Sequence, residues 1–244
     1  MRGIMSFSPQ RLLGVYGDPP VVSLLFFGFS SGLPLALTGA TLAVWLTEAG
    51  VNLTNIGLVS LVGLAYAFKF LWSPLVDRLP IPGLTTLLGR RRSWMLVSQC
   101  AIVAAALAMA VTDPGDPDTR RWTILWALVV AFGSATQDIA IDAYRTEILA
   151  ETQLGAGAAN LVFGYRVGML ASGGGALIIA DSAGWGWAYA LMAALMAVGV
   201  IAVFVNPEPA VRHTPAQQAL EAAGTEGTQR LVGIPSGVRR ALSW

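Results

Sequence analysis

The sequence predicts an all-α membrane protein, built as a bundle of six transmembrane helices. Three observations lead to this prediction. Of the 244 residues, 55% are hydrophobic and 12% are charged, which is about half the charged fraction of ordinary globular domains. The mean hydropathy is +0.63. Six apolar segments have about the 20-residue length that a helix needs to cross a bilayer.

Short polar connections separate the six segments. The first segment is free of charge and contains Gly28 and Pro34, which predict a kinked helix that faces other helices. The segments cover about residues 21–47, 55–73, 94–111, 122–149, 157–180 and 185–205 of a bundle that extends from 21 to 206. Their order suggests two inverted three-helix repeats, as in many transporters. Residues 1–20 and 207–244 are expected to be a cytoplasmic N-terminal segment and a cytoplasmic tail.

The arginines predict the orientation of the bundle. Alternating the segments across the membrane puts Arg120 and Arg121 on one side. The other side then receives Arg2, Arg11, Arg78, Arg90, Arg91, Arg92, Arg212, Arg230, Arg239 and Arg240. Because positive residues concentrate in cytoplasmic loops, we expect both termini in the cytoplasm of a bacterium and the bundle in its inner membrane.

The fourth segment carries an acidic stripe, which is the strongest functional signal in the chain. Asp138 and Asp142 are four residues apart and therefore share one face of a helix, with Ser134 and Arg145 one turn to either side. A carboxylate at the centre of a membrane helix costs about 2.5–3.5 kcal/mol on insertion scales, so such residues usually face an interior path. The functional interpretation is a pair that binds and releases protons. The structural alternative is an ion pair with a cation on another helix.

Two cations lie within other segments, Lys69 in the second and Arg166 in the fifth. Either could bind an anionic group of a substrate, and a guanidinium does so with two parallel hydrogen bonds. For Lys69, extension of the side chain toward the membrane interface is an equally good explanation. Arg166 lies nearer mid-depth, where that explanation is weaker.

The connection between segments two and three carries Asp77 and Arg78, followed by Arg90 and Arg91. Asp77 could pair with a basic residue or with a helix N-terminus, and so act as a latch between conformations. The alternative is that these arginines only set the orientation of the chain.

Several other classes of function are disfavoured. Residues 28–32 match the Gly-x-Ser-x-Gly pattern of serine hydrolases, but the pattern lies inside an apolar helix and the single histidine, His213, is in the tail. Close helix packing explains these glycines better, and Gly164 and Gly168 of segment five suggest the same. We expect no enzyme activity, no cofactor and no metal site. The net charge of +1 gives no reason to expect a nucleic-acid partner.

The Asp77-Arg78 … Gly89-Arg90-Arg91 connection resembles the signature loop of the major facilitator superfamily. It departs from that signature because Ser73 replaces its first glycine and extra residues separate its two halves. Longer phrases look like the AmpG-type muropeptide permeases of this superfamily. These phrases are GFSSGLPLALTGATLAVWL (28–46), IGLVSLVGLAYAFKFLWSPLVDR (56–78), GRRRSWML (89–96), SATQDIAIDAY (134–144) and GAGAANLVFGYRVGMLASGG (155–174).

The resemblance implies a proton-driven importer that brings anhydro-muropeptides, the disaccharide fragments of peptidoglycan recycling, into the bacterial cytoplasm. Asp138 and Asp142 would couple transport to protons, and Asp77, Arg78, Arg90 and Arg91 would form the gating loop. The expected substrate-binding residues are Arg166, Lys69, Gln137, Tyr66 and Tyr165. The partners would be membrane lipid, protons and the amino-sugar substrate.

Transporters of the superfamily have twelve spans around a central site, whereas this chain has six. The resemblance therefore implies an N-terminal half, which would act with a second six-helix half or as a homodimer. Two alternatives stay open: a truncated membrane scaffold that transports nothing, and a transporter of acetyl-CoA or another solute within the same superfamily. An intramembrane enzyme is a distant third.

Overall fold

A computed structural model describes residues 14–209, and the statements below refer to this part of the chain. Within it, six helices are long and apolar enough to cross a membrane. They are α1 (Pro19–Glu48), α2 (Leu53–Leu71), α3 (Arg90–Ala110), α4 (Pro117–Ile148), α5 (Glu151–Ala183) and α6 (Trp185–Val205). The prediction of an all-α bundle of six membrane helices is confirmed.

Helices α3 and α4 begin earlier than the apolar segments that predicted them. α3 starts at Arg90 and α4 at Pro117, because a polar first turn does not raise the hydropathy but still forms a helix. Asp116 caps α4 by accepting a hydrogen bond from the Asp118 amide at 3.1 Å, and Pro117 occupies the first helical position. Proline fits there because the amide that it lacks would have no partner in the helix.

α1 is interrupted within its apolar length. It consists of the helical pieces Pro19–Thr38 and Ala40–Glu48, with Gly39 between them. Pro34 lies one turn before the interruption and removes one amide donor from the helix. The Thr38 hydroxyl donates to the Pro34 carbonyl oxygen at 2.8 Å. The kink that Pro34 and the glycines of α1 predicted is therefore present as a break at Gly39.

Reciprocal glycines bring α1 and α5 into close contact. A Cβ atom at Gly28 would overlap the Leu161 carbonyl oxygen, and one at Gly164 would overlap the Leu25 carbonyl oxygen. The same contact recurs one turn along, where Gly32 meets Tyr165 and Gly168 meets Phe29. The packing explanation of the Gly-x-Ser-x-Gly pattern is thus confirmed. Its central serine, Ser30, donates a hydrogen bond to the Phe27 carbonyl oxygen at 2.9 Å.

The helix contacts agree with two three-helix repeats. In such a pair of repeats, α1 corresponds to α4, α2 to α5 and α3 to α6. The α1–α5 contact then corresponds to the α4–α2 contact, and the α1–α6 contact to the α4–α3 contact. The α1–α4 and α3–α6 contacts map onto themselves. Because α1 and α4 run in opposite directions, the two repeats are inverted. The bundle therefore has the two inverted three-helix repeats that the order of its segments suggested.

The two ends of the bundle carry different groups. At one end, here named the Glu48 face, the Trp185 indole donates to the Glu48 carboxylate at 2.8 Å and stacks on Trp45. At the other end, the Arg91 face, the Gln153 amide donates to Asp18 at 2.9 Å. The beginning of α1 thus meets the α4–α5 connection, as alternation of six membrane helices requires.

Burial differs strongly between helices. In α1, 67% of the apolar window is buried inside the bundle, compared with 12% in α2 and 22% in α5. Large apolar side chains of α2 and α5 are correspondingly exposed, for example Phe70 at 62% and Phe163 at 63%. α1 is therefore the central helix of the bundle, and α2 and α5 present apolar surface outward on either side of the candidate site.

Candidate functional site

The site is organised around Asp138, at the crossing of α4 with α1. The Ser31 hydroxyl of α1 donates a hydrogen bond to the Asp138 carboxylate oxygen Oδ1. Ser31 is buried at 6% exposure. Gly28 and Gly32 lie on the face of α1 that packs against α5. Ser30 and Ser31 lie on a neighbouring face of α1, which packs against α4.

A cavity of about 250 Å³ opens beside Asp138, between α1, α2, α4 and α5. Its lining residues are Ser31, Lys69, Asp138, Ile141, Asp142, Leu161, Val162 and Tyr165. The structure thus brings together four of the residues that the sequence proposed for the site: both aspartates of α4, Lys69 of α2 and Tyr165 of α5. The lining thus combines polar side chains with the apolar side chains of Ile141, Leu161 and Val162.

The two aspartates have different electrostatic surroundings. Asp142 is exposed, and its oxygens lie 3.9 Å from Lys69 Nζ and 3.9 Å from an Arg145 guanidinium nitrogen. Such loose pairs at an exposed site contribute little to stability. Asp138 lies one turn deeper and forms no ion pair with any described residue; among them, Ser31 is its hydrogen-bond donor. The ion-pair alternative therefore applies to Asp142 rather than to Asp138.

Gln137 lies next to the site but does not line the cavity. Its side-chain amide donates to the Ser30 hydroxyl at 3.1 Å, and it is fully buried between α1 and α4. Its carbonyl oxygen Oε1 has no hydrogen-bond partner in the described part of the chain. Buried Gln99 of α3 likewise leaves both amide atoms unpaired there. Gln137 thus joins helices behind Asp138, and a substrate would need a change in packing to reach it.

The remaining predicted substrate residues occupy separate positions. Tyr66 of α2 has a buried hydroxyl that faces Ser134 and Thr38 without a hydrogen bond of standard geometry. Arg166 of α5 is exposed and forms no hydrogen bond or ion pair with the described residues. It follows Tyr165 directly but does not line the cavity beside Asp138.

A second charged cluster lies at the Arg91 face. The Arg91 guanidinium binds the Glu147 carboxylate of α4, with nitrogen–oxygen distances of 2.6 and 3.1 Å to Oε1. It also binds the Asp77 carboxylate at 2.7 Å. The Arg91 side chain is only 8% exposed, compared with 28% for Glu147 and 45% for Asp77. One arginine therefore connects the α2–α3 connection to the end of α4.

Glu208 extends this cluster to the residues that follow α6. Its carboxylate accepts hydrogen bonds from the Arg91 and Arg92 amides at 2.7 and 3.1 Å, and so caps the N-terminus of α3. The Arg92 side chain donates to the Val203 carbonyl oxygen at 2.7 Å. Of the other arginines proposed for the gating loop, Arg78 is exposed, and the Nε atom of Arg90 is buried without a partner among the described residues.

Sequence reasoning missed three residues of these sites: Ser31, Glu147 and Glu208. Ser31 lies within the Gly-x-Ser-x-Gly stretch, where a serine pair between two glycines could have indicated a polar helix crossing. Glu147 ends α4 beside a run of arginines, and this opposite charge was the available signal. No comparable signal indicated that Glu208 caps α3, because Glu208 is more than a hundred positions away from Arg91 and Arg92 in the sequence.

Comparison with known proteins supplies the family. The profile of the Major Facilitator Superfamily matches residues 24–241. The anhydromuropeptide permease of Escherichia coli strain K12 is 48% identical over 201 residues, which are 82% of this chain and 40% of that protein. Putative transporter AmpG 4 of Rickettsia felis is 35% identical over 204 residues, 82% of this chain and 48% of that protein.

A further relative, putative transporter AmpG 1 of Rickettsia conorii, is 34% identical over 180 residues, 74% of this chain and 43% of that protein. The chain thus spans less than half the length of these curated relatives.

Proposed function

Because the chain belongs to the Major Facilitator Superfamily, we propose that it is part of a proton-coupled importer of anhydro-muropeptides. Family and relatives point to a membrane transporter of a small molecule rather than to an enzyme. The observation that carries the proposal concerns Asp138. Its carboxylate lies within the bundle, faces a cavity and forms no ion pair with the described residues.

Asp138 is suited to carry the coupling proton. As a carboxylate, it accepts the Ser31 hydrogen bond; once protonated, it keeps an acceptor oxygen for Ser31 and gains an O–H donor, which needs an acceptor of its own. Neutralising the carboxylate also removes the electrostatic cost of moving it into a closed, dry site. Asp142, which is exposed at the mouth of the same cavity, would exchange protons with water on the Arg91 face.

The substrate would bind in the same cavity. Lys69 offers an ammonium group to carboxylates of the peptide stem, and Tyr165 offers an aromatic wall to the sugar. Arg166 is free to bind a further anionic group, while Tyr66 and Gln137 lie behind the walls. A volume of about 250 Å³ is below the roughly 300–1,000 Å³ of drug-sized ligand sites, so a disaccharide with a peptide needs a larger, shared cavity.

The cluster of Arg91, Asp77 and Glu147 would act as the latch that holds the Arg91 face closed or open. Its members belong to α3, to the α2–α3 connection and to α4, so that a relative movement of these elements must break it. Arg78 and Arg90, which lack partners in the described part of the chain, are available to a partner bundle or to lipid headgroups.

We place the chain in the bacterial inner membrane, with the Arg91 face and both termini in the cytoplasm. The excess of arginines on that face supports this orientation. The exposed apolar surfaces of α2 and α5 support a partner, either a second six-helix half or a second copy of the chain. That bundle would supply the other wall of the substrate cavity.

Uptake of a radiolabelled anhydro-muropeptide tests this proposal. The chain would be purified from its native membranes together with any partner, and the mass of the complex measured before reconstitution into liposomes. We expect a complex of two six-helix units, with uptake that rises under an inward proton gradient and falls when a protonophore is added. A lone chain without uptake would favour the non-transporting scaffold, and uptake of acetyl-CoA instead would reassign the substrate.

A further inference from the structure

A group of hydroxyls lies beside Asp138, on the side of the Glu48 face. The buried Tyr66 hydroxyl of α2 lies against the hydroxyls of Ser134 and Thr38, and it also interacts electrostatically with Asp138. Ser134 and Asp138 are four residues apart on α4, so that their Cβ atoms are about 5–6 Å apart on one face. Because α4 runs from the Glu48 face to the Arg91 face, Ser134 lies one turn closer to the Glu48 face than the carboxylate does.

A second cavity, here named the Glu48-side cavity, lies between α1 and α2 and has a volume of about 270 Å³. Its lining extends from Leu35 to Leu46 on α1 and from Ile56 to Tyr66 on α2, and Thr38 and Tyr66 supply its polar side chains. It shares no lining residue with the cavity beside Asp138. The hydroxyls of Tyr66 and Ser134 therefore lie between a cavity on the Glu48 side and the carboxylate.

The Ser134 hydroxyl is available for contacts with other groups. Thr136 of the same helix donates to the Phe132 carbonyl oxygen at 2.8 Å, as helical hydroxyls often do. The Ser134 hydroxyl, in contrast, is buried and forms no hydrogen bond of standard geometry with any described residue. A buried polar group without a hydrogen bond costs about 1–3 kcal/mol. A conformation in which Ser134 bonds both Tyr66 and Asp138 would avoid this cost.

We propose that Tyr66 and Ser134 form a hydroxyl relay that carries a proton from the Glu48-side cavity to Asp138. A proton from water in that cavity binds the Tyr66 oxygen, while the Tyr66 hydrogen passes to the Ser134 oxygen. The Ser134 hydrogen passes in turn to the Asp138 carboxylate, so that both hydroxyls end neutral and one proton has moved. The new O–H group of Asp138 then has the Ser134 oxygen as its acceptor.

The relay is interrupted at its inner end in the structure. Asp138 accepts a hydrogen bond from Ser31, and Ser134 donates none to it. The cavity beside Asp138 meanwhile includes exposed Asp142, one turn closer to the Arg91 face. An interrupted relay prevents a leak of protons across the membrane while Asp138 is open to the Arg91 face.

Thr38 and the loose packing of α2 explain how the outer end of the relay connects and disconnects. The Thr38 hydroxyl donates to the Pro34 carbonyl oxygen at 2.8 Å, so that its oxygen is free to accept the Tyr66 hydrogen. Tyr66 would turn from Thr38 to Ser134 when α2 moves. Only 12% of the apolar window of α2 is buried, so little packing opposes this movement.

Few other titratable groups face Asp138. In the described part of the chain they are Tyr66 and Lys69 of α2, Asp142 of α4 and Tyr165 of α5, while α1 contributes the Ser31 hydroxyl. Lys69 lies 3.9 Å from Asp142, and Tyr165 lines the cavity beside Asp138. The relay rests on the proposed function, in which Asp138 carries the coupling proton. It gives Tyr66 a role in proton transfer in place of the substrate contact that the resemblance implied.

Labelling of Asp138 by N,N′-dicyclohexylcarbodiimide tests the relay, because this reagent enters membranes and reacts with protonated carboxyl groups. The chain and any native partner would be reconstituted into vesicles with the Glu48 face outward. An impermeant thiol reagent checks this orientation on Thr54→Cys, at an exposed position near the start of α2. After acidification of the outer medium, mass spectrometry measures the rate of Asp138 labelling. We expect this rate to fall about tenfold or more in Tyr66→Phe and in Ser134→Ala.

Acidification of the vesicle lumen, at the Arg91 face, shows whether the variants are intact. Labelling from that side should keep the unmodified rate, because the cavity beside Asp138 reaches it without the hydroxyls. Ser172→Ala and Tyr144→Phe are the matched controls. The buried Ser172 hydroxyl donates to the Gly168 carbonyl oxygen at 3.0 Å, and the Tyr144 hydroxyl donates to the Pro207 carbonyl oxygen at 2.9 Å. Both controls should leave both rates unchanged.

Three results would overturn the relay: unchanged labelling from the Glu48 side in either variant, no response of the unmodified chain to acid on that side, or an equal loss of labelling from both faces. Muropeptide uptake is measured separately, so the two proposals fail independently. The expected labelling pattern without muropeptide uptake would refute the proposed function alone. Proton-driven uptake without this labelling pattern would refute the relay alone.

Discussion

A single hydrogen bond, from Ser31 to Asp138, distinguishes the two aspartates of α4. The sequence placed both on one helical face but could not tell which of them lacked a cation. That distinction depends on the position of the Lys69 ammonium group, because the long flexible side chain of Lys69 could have reached either carboxylate. In the structure it lies near exposed Asp142. Helical spacing thus predicted the stripe, and only the tertiary packing identifies Asp138 as its unpaired member.

Arg166→Ala tests the substrate role of an exposed cation at the residue scale. Since Arg166 has no hydrogen bond or ion pair with the described residues, its loss should change the free energy of unfolding by no more than about 0.5 kcal/mol. If it binds an anionic group of the substrate, Kd for the muropeptide should rise about tenfold or more. Thermal unfolding and equilibrium binding of the purified complex measure the two quantities.

Arg121→Ala provides a matched control for that experiment, because Arg121 is another exposed arginine, at the opposite end of α4 from the cavity. It should change neither quantity appreciably. A large loss of stability in Arg166→Ala without a separate binding defect would make Arg166 a structural residue instead.

At the scale of elements, the contact between α1 and α5 depends on glycines that the sequence did reveal. Their four-residue spacing predicted a close helix crossing, and the structure confirms it through Gly28, Gly32, Gly164 and Gly168. The break at Gly39 was less predictable. Proline and glycine in α1 indicated a kink, but its position depends on which carbonyl and amide groups find partners across the bundle.

Gly164→Ala tests this crossing. The added methyl group would overlap the Leu25 carbonyl oxygen, a backbone atom that cannot move without separating α1 from α5. We expect destabilisation of about 1–3 kcal/mol, as for overpacked cores, measured by thermal or denaturant unfolding in detergent. Gly174→Ala is the matched control, because a Cβ at Gly174 meets no atom within 4 Å. Equal stability of the two variants would contradict the close packing.

The charged cluster at the Arg91 face connects three elements and permits a second test. Arg91→Ala leaves the carboxylates of Asp77 and Glu147 together without their cation. We expect a loss of about 1–3 kcal/mol, below the range for a fully buried pair, because the carboxylates left without a partner are 45% and 28% exposed. Arg78→Ala, which removes an exposed arginine from the same connection, should have little effect. Comparable losses in both variants would show that the cluster does not fasten these elements.

At the scale of the whole molecule, membrane class, helix number and family could be predicted from the sequence, because composition, apolar length and matching phrases are local properties. The cavities and the Glu208 cap could not, since each joins residues from distant parts of the chain. The distribution of burial is also apparent only at this scale. α1 is buried at the centre, whereas α2 and α5 expose apolar surface beside the cavity at Asp138.

Proton movement upon addition of substrate tests the central claim of a proton-coupled transporter most directly. The chain with its native partner would be reconstituted into liposomes that contain a pH-sensitive dye, and anhydro-muropeptide would be added outside. We predict acidification of the lumen with the native chain and none with Asp138→Asn, whose side chain has the same shape and still accepts the Ser31 hydrogen bond. Substrate-dependent acidification that persists in a stably folded Asp138→Asn variant would contradict the account.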